Sequence, residues 1–253
     1  MQAREARIRV RRFEPGKGFH YREYRVRVGK YSTVLEALIK VIEEQDPSLA
    51  IRYSCRMGIC GSCGMVINGV PRLACETTFS SLGTLDVEVE PLYNFPVVRD
   101  LVTRFNELLF EKHRRVKPYL VRRDVKEQFN PIAEYKQTPL ELAEFLAYSY
   151  CITCGLCVAA CPVIYEKPYF LGPQALAQTL RWTIDSRDEG GEERLEIVDS
   201  TEGVWSCEFI GACSKVCPKG VDPAGAIQRL KIMLATRLPR KLLKSRSPPR
   251  PKG

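Results

Sequence analysis

The first hundred residues alternate apolar and polar positions in a way that predicts short strands around one helix. Residues 6–13 and 24–28 place arginine between apolar residues, which is the two-residue period of a strand with one buried face. Residues 15–18 supply a turn between them. Residues 33–43 instead carry apolar side chains at helical spacing. Further short strands are expected at 64–67 and 85–89, with Asn68-Gly69 as a turn between strands.

The pattern changes near residue 100, and the second half of the chain is predicted to be mostly helical. A helical stripe is formed by Leu101, Phe105, Leu108 and Leu109. The polar residues 111–137 that follow are typical of a linker. Proline then marks three expected helix starts, at Thr138-Pro139-Leu140-Glu141, Gly172-Pro173 and Asp222-Pro223.

These patterns predict an α+β chain of two domains. We expect a strand-rich domain over residues 1–105, a connecting helix and linker over 106–137, and a helical domain over 138–235. A basic, disordered tail is expected over 236–253, where seven Lys or Arg residues occur without an acidic one.

Composition makes cysteine the feature that needs an explanation. Of the 253 residues, 45% are hydrophobic and 27% charged, which is ordinary globular composition and argues against wholesale disorder. The eleven cysteines are an odd number, so they cannot all pair as disulfides. No signal segment is recognised at the start of the sequence, and clustered cysteines in a reducing compartment indicate metal binding.

Charge and hydropathy add two alternatives. The net charge of +9 is concentrated at the two ends, as in proteins that bind nucleic acid or anionic membranes. No zinc-finger, helix-turn-helix or RNA-binding signature accompanies it, so we expect no nucleic-acid partner, and for the tail we favour contact with a membrane anchor or anionic lipid. Residues 145–165 lack charge over 21 positions, the length of a membrane span, but their four cysteines favour a buried ligand-bearing segment.

Four cysteines in the first half have the spacing that plant-type ferredoxins use for a 2Fe–2S cluster, C-x4-C-x2-C with a distant fourth. They are Cys55, Cys60, Cys63 and Cys75. The loop is rich in glycine and serine, and three thiolates that wrap one cluster need such small residues. The glycine N–H groups can bond the sulfurs, and with Arg52 and Arg56 nearby they are expected to raise the reduction potential.

The other seven cysteines form two related runs. Residues 151–162 carry C-x2-C-x2-C-x3-C-P, the bacterial ferredoxin run whose fourth cysteine serves the other cluster. Residues 207–218 repeat it with Ile210 in place of the second cysteine. This crossing rule predicts a 4Fe–4S cluster on Cys151, Cys154, Cys157 and Cys217. The remaining three cysteines, Cys161, Cys207 and Cys213, can bind only three irons, so the rule predicts a 3Fe–4S cluster there.

Zinc is the main alternative to iron–sulfur clusters. It also binds cysteine pairs with C-x2-C spacing, and a metal-stabilised nucleic-acid-binding module would be the corresponding function. Eleven thiolates do not divide into four-coordinate sites, and C-x4-C-x2-C is a poor zinc spacing. We therefore favour three iron–sulfur clusters.

The motifs resemble those of the iron–sulfur subunit of succinate dehydrogenase and fumarate reductase. The resemblance covers about residues 5–235 and lies in residues 52–65 (RYSCRMGICGSCGM), 172–173 (GP), 185–188 (DSRD), 203–207 (GVWSC) and 217–223 (CPKGVDP). The order of the three cluster types along the chain is itself diagnostic of that family.

The resemblance implies a plant-ferredoxin-like β-grasp domain followed by a bacterial-ferredoxin-like helical domain. It implies a flavoprotein partner with covalent FAD that interconverts succinate and fumarate, membrane-anchor subunits, and quinone as the far terminus. Electrons would pass one at a time through the 2Fe–2S, 4Fe–4S and 3Fe–4S clusters. We expect the subunit to have no transmembrane helix of its own and to lie peripherally on the cytoplasmic face of the inner or plasma membrane.

The same resemblance places four residues at the quinone site, namely Pro162, Phe209, Gln228 and Lys231. Gln228 and Lys231 are three apart on an expected helix and share a face, where an ammonium can bond a quinone carbonyl; a surface polar pair is the alternative. Glu166 and Glu208 depart from the succinate dehydrogenase branch, which usually has tryptophan and often histidine there. An iron–sulfur subunit of another flavin-linked dehydrogenase, with a non-quinone acceptor, stays open, although the Cys-Cys-Gly motifs of such subunits do not occur here.

Overall fold

The N-terminal half is built on a long β-hairpin. The computed structural model describes residues 4–124, 126, 129–130 and 134–245. In it, β1 (Arg4–Glu14) pairs antiparallel with β2 (Gly18–Val28) along the whole of both strands. Apolar side chains of β1 alternate with exposed arginines and are buried. The two predicted strands and the turn between them are confirmed.

The hairpin extends into a five-stranded sheet of order β2-β1-β5-β3-β4. The added strands are β3 (Gly64–Ile67), β4 (Val70–Leu73) and β5 (Asp86–Glu90). β5 runs parallel to β1 and antiparallel to β3, and β3 turns into β4 through Asn68-Gly69, both at positive φ. The predicted strands at 64–67 and 85–89 are therefore confirmed, within one residue for the second.

One helix covers this sheet. α1 (Val34–Glu44) begins at a capping box in which Thr33 and Glu36 bond each other's backbone N–H. Its apolar face joins the core under the sheet, as the helical spacing predicts. A short helix, α2 (Phe79–Leu82), precedes β5.

The predicted helical stripe from Leu101 is wrong at its start. Leu101 lies in a small hairpin of β6 (Val97–Arg99) and β7 (Val102–Thr103), where Asp100 has a φ of 47° that no α-helix allows. Helical structure starts only with a π-helical turn, Asn106–Phe110, which continues into α3 (Glu111–Arg115).

The second half is helical, with short connections. Its elements are α4 (Pro139–Ser149), α5 (Leu156–Ala159), α6 (Pro162–Glu166), α7 (Gly172–Thr183), α8 (Gly191–Val198), a 3₁₀ turn (Val204–Ser206), α9 (Ala212–Lys215) and α10 (Pro223–Ser245). All three predicted helix starts are confirmed, and Thr138 forms the expected capping box with Glu141. The chain is thus α+β, strand-rich first and helical second.

Helix α10 continues where a disordered tail is expected from residue 236. It runs to Ser245, and Arg237 forms ion pairs with Glu192 and Glu196 of α8. Extending a helix that already exists avoids the cost of nucleation, and the acidic side chains of α8 offset basic charge. The structure describes residues 236–245 as helical, residues 246–253 lie outside the described residues, and the disordered tail stays a prediction.

The uncharged stretch 145–165 is divided among α4, α5 and α6. Thr153 and Gly155, with φ of 54° and 79°, end the helical path between α4 and α5. Among the helices that the structure describes, none is both long and apolar enough to cross a membrane.

The two halves share one continuous apolar core. A polar contact crosses between them at Asn94, whose φ is 67°. Its Nδ2 donates to the carbonyl oxygens of Val158, Ala159 and Cys161, at 2.8, 3.3 and 3.0 Å. The N-terminal half therefore supplies partners for the free carbonyls at the end of α5.

Arg12 is the exception to the exposed arginines of β1. It is 2% exposed, and its guanidinium donates to Asp46 at 2.6 Å and to Asp100 at 3.0 Å. Burial acts to raise the pKa of Asp46, but hydrogen bonds from Ser48 and Tyr24 and the charge of Arg12 outweigh it and lower that pKa to about 2. Arg12 thus joins β1 to the end of α1 and to the β6–β7 hairpin.

We expect Arg12→Met to lower the free energy of unfolding by about 3–5 kcal/mol, because Asp46 and Asp100 lose the buried cation that they share and only the half-exposed Arg22 stays paired with Asp46. Arg9→Met is the matched control on the same strand. Arg9 pairs with Glu88 at the surface, at 3.2 Å, so its loss should cost less than about 1 kcal/mol. Denaturant titration of the purified proteins measures both, and equal losses would contradict a structural role for the buried network.

Candidate metal centres

The first cysteine loop surrounds its sulfurs with backbone N–H groups. The Sγ of Cys55 accepts from the N–H groups of Met57, Ile59 and Cys60, at 3.5, 3.3 and 3.3 Å. The loop curls tightly enough for this because Arg56, Gly58 and Gly61 have φ between 57° and 74°.

The four cysteines predicted for the first site come together. The N–H of Gly58 donates to Cys75 Sγ at 3.3 Å, and the N–H of Cys55 donates to Cys60 Sγ at 3.4 Å. The Cys55 bond, with bonds from Ser62, lowers the pKa of Cys60 to about 6. Burial raises the pKa of Cys63, next to Cys75, to about 12. The site thus has an open side at Cys60 and a closed side at Cys63.

Glycine N–H groups are only part of the predicted hydrogen bonding. Gly58 donates to a sulfur as expected, but the donors to Cys55 are N–H groups of other residues, which the loop turns inward. Arg52 donates to the carbonyl of Thr103 at 2.6 Å and lies over the ring of Phe105. Its cation therefore anchors the loop to the end of the N-terminal half.

A second group of cysteines lines a cavity in the helical half. Its cysteines are Cys151, Cys154, Cys157 and Cys217. Cys217 comes from the second run, so the cavity groups the same four cysteines that the crossing rule assigns to one cluster.

A third group lines a separate cavity. Its cysteines are Cys161, Cys207 and Cys213, and Ile210 lies in the same wall. In this cavity, Cys161 is the cysteine that comes from the first run, whereas Cys207 and Cys213 belong to the second. Together the two cavities separate the seven cysteines into four and three.

The two runs have the same backbone conformation. Thr153 and Gly155 have φ of 54° and 79°, and the corresponding Phe209 and Gly211 have 58° and 77°. Each glycine leads into a four-residue helix, α5 or α9. Ile210 therefore occupies in the second run the place that Cys154 has in the first.

Burial disfavours the thiolate form of cysteines in the walls of both cavities. It raises the pKa of Cys154 and of Cys213 to about 11, and that of Cys157 well above its ordinary value. A metal cation supplies the charge that buried thiolates need, so the donor set fits iron–sulfur clusters. All eleven cysteines are free thiols.

Thiols gather in threes and fours around the two cavities of the helical half. Across the described ranges, no group of three or more His, Cys, Asp or Glu side chains is placed to hold a single metal ion. Three or four thiolates around one space are the donor sets that iron–sulfur clusters use.

Gly61 brings the first site directly against the second. A Cβ on Gly61 would lie 2.7 Å from the Cβ and 2.9 Å from the Cα of Cys154. Lys219, in the wall of the four-cysteine cavity, also pairs with Glu76 of the first half at 3.3 Å. Only a residue without a side chain fits between the first loop and Cys154.

The residues expected at a quinone site are divided by the structure. Pro162 and Phe209 line the three-cysteine cavity, and Phe209 is 58% exposed. Lys231 reaches the same site indirectly, since its Nζ donates to the carbonyl of Cys207 at 2.8 Å. Gln228 is not part of the cavity wall, and its Nε2 is buried with no hydrogen-bond partner among the described residues.

Lys112 is a feature that the sequence does not reveal, because it lies in the stretch predicted to be a linker. Its ammonium is buried and donates to the carbonyls of Pro168 and Phe170, at 2.6 and 2.5 Å. Burial lowers the pKa of Lys112 to about 8. Phe170 lines the three-cysteine cavity, so Lys112 brings a cation to that wall.

The strand-rich half with one four-cysteine site and the helical half with two cysteine-lined cavities define a two-domain iron–sulfur protein. A family model described as "2Fe-2S iron-sulfur cluster binding domain" matches residues 7–110, and one described as "4Fe-4S dicluster domain" matches residues 147–221.

Relatives make the family specific. The chain is 47% identical to the fumarate reductase iron-sulfur subunit of Mycobacterium tuberculosis, over 88% of this chain and 89% of the relative. It is 38% identical to the succinate dehydrogenase iron-sulfur subunit of Paracoccus denitrificans, over 92% of this chain and 89% of the relative. A chain of the solved "Mycobacterium smegmatis Sdh1 complex in the apo form" superposes with a TM-score of 0.83 at 29% identity, over 93% of this chain and 98% of that one. The chain therefore belongs to the family of iron–sulfur, electron-transfer subunits of fumarate reductase and succinate dehydrogenase, and the resemblance inferred from its motifs is confirmed.

We expect Gly61→Ala to destabilise the protein more than Gly83→Ala. Both glycines have positive φ, of 74° and 68°, which costs alanine about 1–2 kcal/mol. Nothing lies within 4 Å of a Cβ at Gly83, whereas at Gly61 it overlaps the backbone of Cys154, which adds about 1–3 kcal/mol. Anaerobic denaturant titration measures the difference; similar losses would show that the two halves are not in close contact there.

Proposed function

We propose that this chain passes electrons one at a time between the FAD of a flavoprotein subunit and quinone. The observation that carries the proposal is the separation of the helical half's cysteines into a four-cysteine and a three-cysteine cavity. The 2Fe–2S site is assigned to Cys55, Cys60, Cys63 and Cys75. The 4Fe–4S site is assigned to Cys151, Cys154, Cys157 and Cys217, and the 3Fe–4S site to Cys161, Cys207 and Cys213.

The fold assignment that goes with this proposal is a plant-ferredoxin-like β-grasp domain followed by a bacterial-ferredoxin-like helical domain. The mixed sheet with parallel β1 and β5 under α1 supports the first. The repeated backbone around α5 and α9, with each cavity taking one cysteine from the other run, supports the second.

The surroundings of the sulfurs favour electron transfer. Clusters bound there supply one-electron oxidation and reduction. N–H groups of Met57 and Ile59 stabilise added negative charge at Cys55, and thereby raise the potential of the first site. Buried apolar walls, such as Leu156 beside the second site, exclude water from the path.

The three sites are connected in a fixed order. Gly61 joins the first site to the second through Cys154, and the single run 151–161 supplies ligands to both the second and the third. The order along the molecule is therefore 2Fe–2S, 4Fe–4S, 3Fe–4S, with the outer two at opposite ends of the path.

Exposed apolar side chains at both ends support docking of partners. Met57 and Ile59 are 69% and 59% exposed beside the first site, and Phe209 and Tyr165 are 58% and 82% exposed beside the third. The flavoprotein is proposed at the first end. Membrane-anchor subunits, which hold this subunit peripherally on the cytoplasmic face of the membrane, are proposed at the other.

The quinone site is proposed beside the three-cysteine cavity. Pro162 and Phe209 form its apolar wall. The Nε2 of Gln228, which is buried and has no hydrogen-bond partner among the described residues, is proposed as a donor to a quinone oxygen. It lies one helical turn from Lys231, which is bonded to the Cys207 carbonyl. Lys231 would then act chiefly through the charge it brings to the site.

We expect Ile210→Cys to convert the 3Fe–4S centre into a 4Fe–4S centre, because the thiolate would stand where Cys154 stands in the first run. EPR of anaerobically purified complex should lose the oxidised three-iron signal, and iron should rise by about one atom from about nine per chain. Ile210→Ala is the control that opens the same position without a ligand and should keep the signal. Persistence of that signal in Ile210→Cys would refute the ligand assignment.

We expect Gln228→Leu to raise the KM for quinone about two- to tenfold, the equivalent of one hydrogen bond of about 0.5–1.5 kcal/mol. Succinate is the electron donor to the purified complex, and an artificial acceptor that bypasses quinone should be reduced at the wild-type rate. Arg229→Leu is the control, since Arg229 is exposed and pairs with Glu144 at 3.3 Å.

The same assay tests the function itself. Electron flow from succinate to quinone through the wild-type complex is the expected result. Iron–sulfur centres that succinate and fumarate leave unchanged, but that another flavin substrate reduces, would assign the chain to a different flavin-linked dehydrogenase with a non-quinone acceptor.

A further inference from the structure

Gln174 is a buried amide between the four-cysteine cavity and α3. It stands at the start of α7, is 2% exposed and lines the cavity. Its Nε2 lies 3.0 Å from Nδ1 of His113 and 3.8 Å from Sγ of Cys151. One amide nitrogen thus reaches both a ring nitrogen and a sulfur of the proposed ligand set.

The two neighbours determine which way the amide points. A thiolate only accepts hydrogen bonds, and an amide NH₂ group has two hydrogens to donate. The reverse orientation would place the Oε1 of Gln174 against the negative sulfur of Cys151. His113 therefore accepts at Nδ1 and carries its own proton on Nε2, and burial, which lowers the pKa of His113, favours this neutral form.

The carbonyl oxygen of the Gln174 amide makes no hydrogen bond within the described part of the chain. The Oε1 of Gln174 is buried and has no hydrogen-bond partner there. An unpaired buried acceptor opposes folding, and a leucine would fill similar space without that cost. The bonds made by Nε2 are what the amide contributes at this position.

We propose that Gln174, oriented by His113, is a positioning residue that donates a hydrogen bond to the Cys151 ligand and raises the reduction potential of the 4Fe–4S centre. The inference rests on the four-cysteine ligand set proposed above. A hydrogen bond to a ligand sulfur stabilises the reduced, more negative centre more than the oxidised one. The middle site of the path is thereby made easier to reduce.

The test is a potentiometric titration of the intact, purified complex, followed by EPR of the reduced 4Fe–4S centre. Gln174→Leu removes the donor, and we expect reduction to become about tenfold less favourable, which is about 59 mV for one electron. Gln178→Leu is the matched control. Gln178 is a buried amide one turn further along α7 that donates to the Tyr148 carbonyl at 3.1 Å, so its loss should leave the midpoint unchanged.

A second variant tests the orientation by His113. We expect His113→Phe to lower the midpoint in the same direction by a smaller amount, because Gln174 loses its anchor. In the double variant the midpoint should equal that of Gln174→Leu, since the donor is already absent. Gln174→Met replaces Gln174→Leu in the titration if the leucine variant does not assemble.

Two results would overturn the inference: a wild-type midpoint in the Gln174 variant with its EPR signal intact, or additive shifts in the double variant. A wild-type complex without a reducible 4Fe–4S signal would instead overturn the proposed function, so the two failures are distinguishable.

Discussion

The exchange of one cysteine between two neighbouring runs is the constraint around which the helical half is organised. Cys161 must leave its own run for the three-cysteine cavity, and Cys217 must leave the other run for the four-cysteine cavity. In the structure α5 and α9 lie side by side, in contact with α7 and α10 respectively. Because burial raises the pKa of Cys154 and Cys213, which line the two cavities, binding of metal and completion of the fold are coupled.

The junction between the halves turns separate sites into a path. Gly61 allows the first loop to lie on Cys154, while Asn94 bonds the carbonyls at the end of α5, the helix between the second and third sites. The connection uses backbone groups and a missing side chain, which can be placed more accurately than long flexible side chains. The close approach of the first loop to Cys154 therefore depends on the main chain.

Sequence patterns predict the structure best where a local rule is strong. The arginine–apolar alternation of β1, the capping box at Thr138, and the crossing of Cys161 and Cys217 all depend on neighbours along the chain or on a known ligand spacing. The β6–β7 hairpin depends on a distant partner, since Asp100 is held by Arg12. The same is true of Gln174 and Lys112, whose partners lie 23 to 61 and 56 to 58 residues away. Contacts between residues so far apart leave no periodic pattern in the sequence, so only the three-dimensional structure reveals them.

The contact made by the Asn94 amide constrains how the two halves of the chain can evolve. It belongs to the strand-rich half, but the carbonyls that it satisfies belong to the helical half, and the space at Gly61 matches a backbone more than ninety positions away. A genetic crossover between two homologues near residue 100 would join an amide and a glycine from one parent to a helix end and a cysteine from the other. The halves of this protein are therefore expected to evolve together, although each contains a complete cysteine motif of its own.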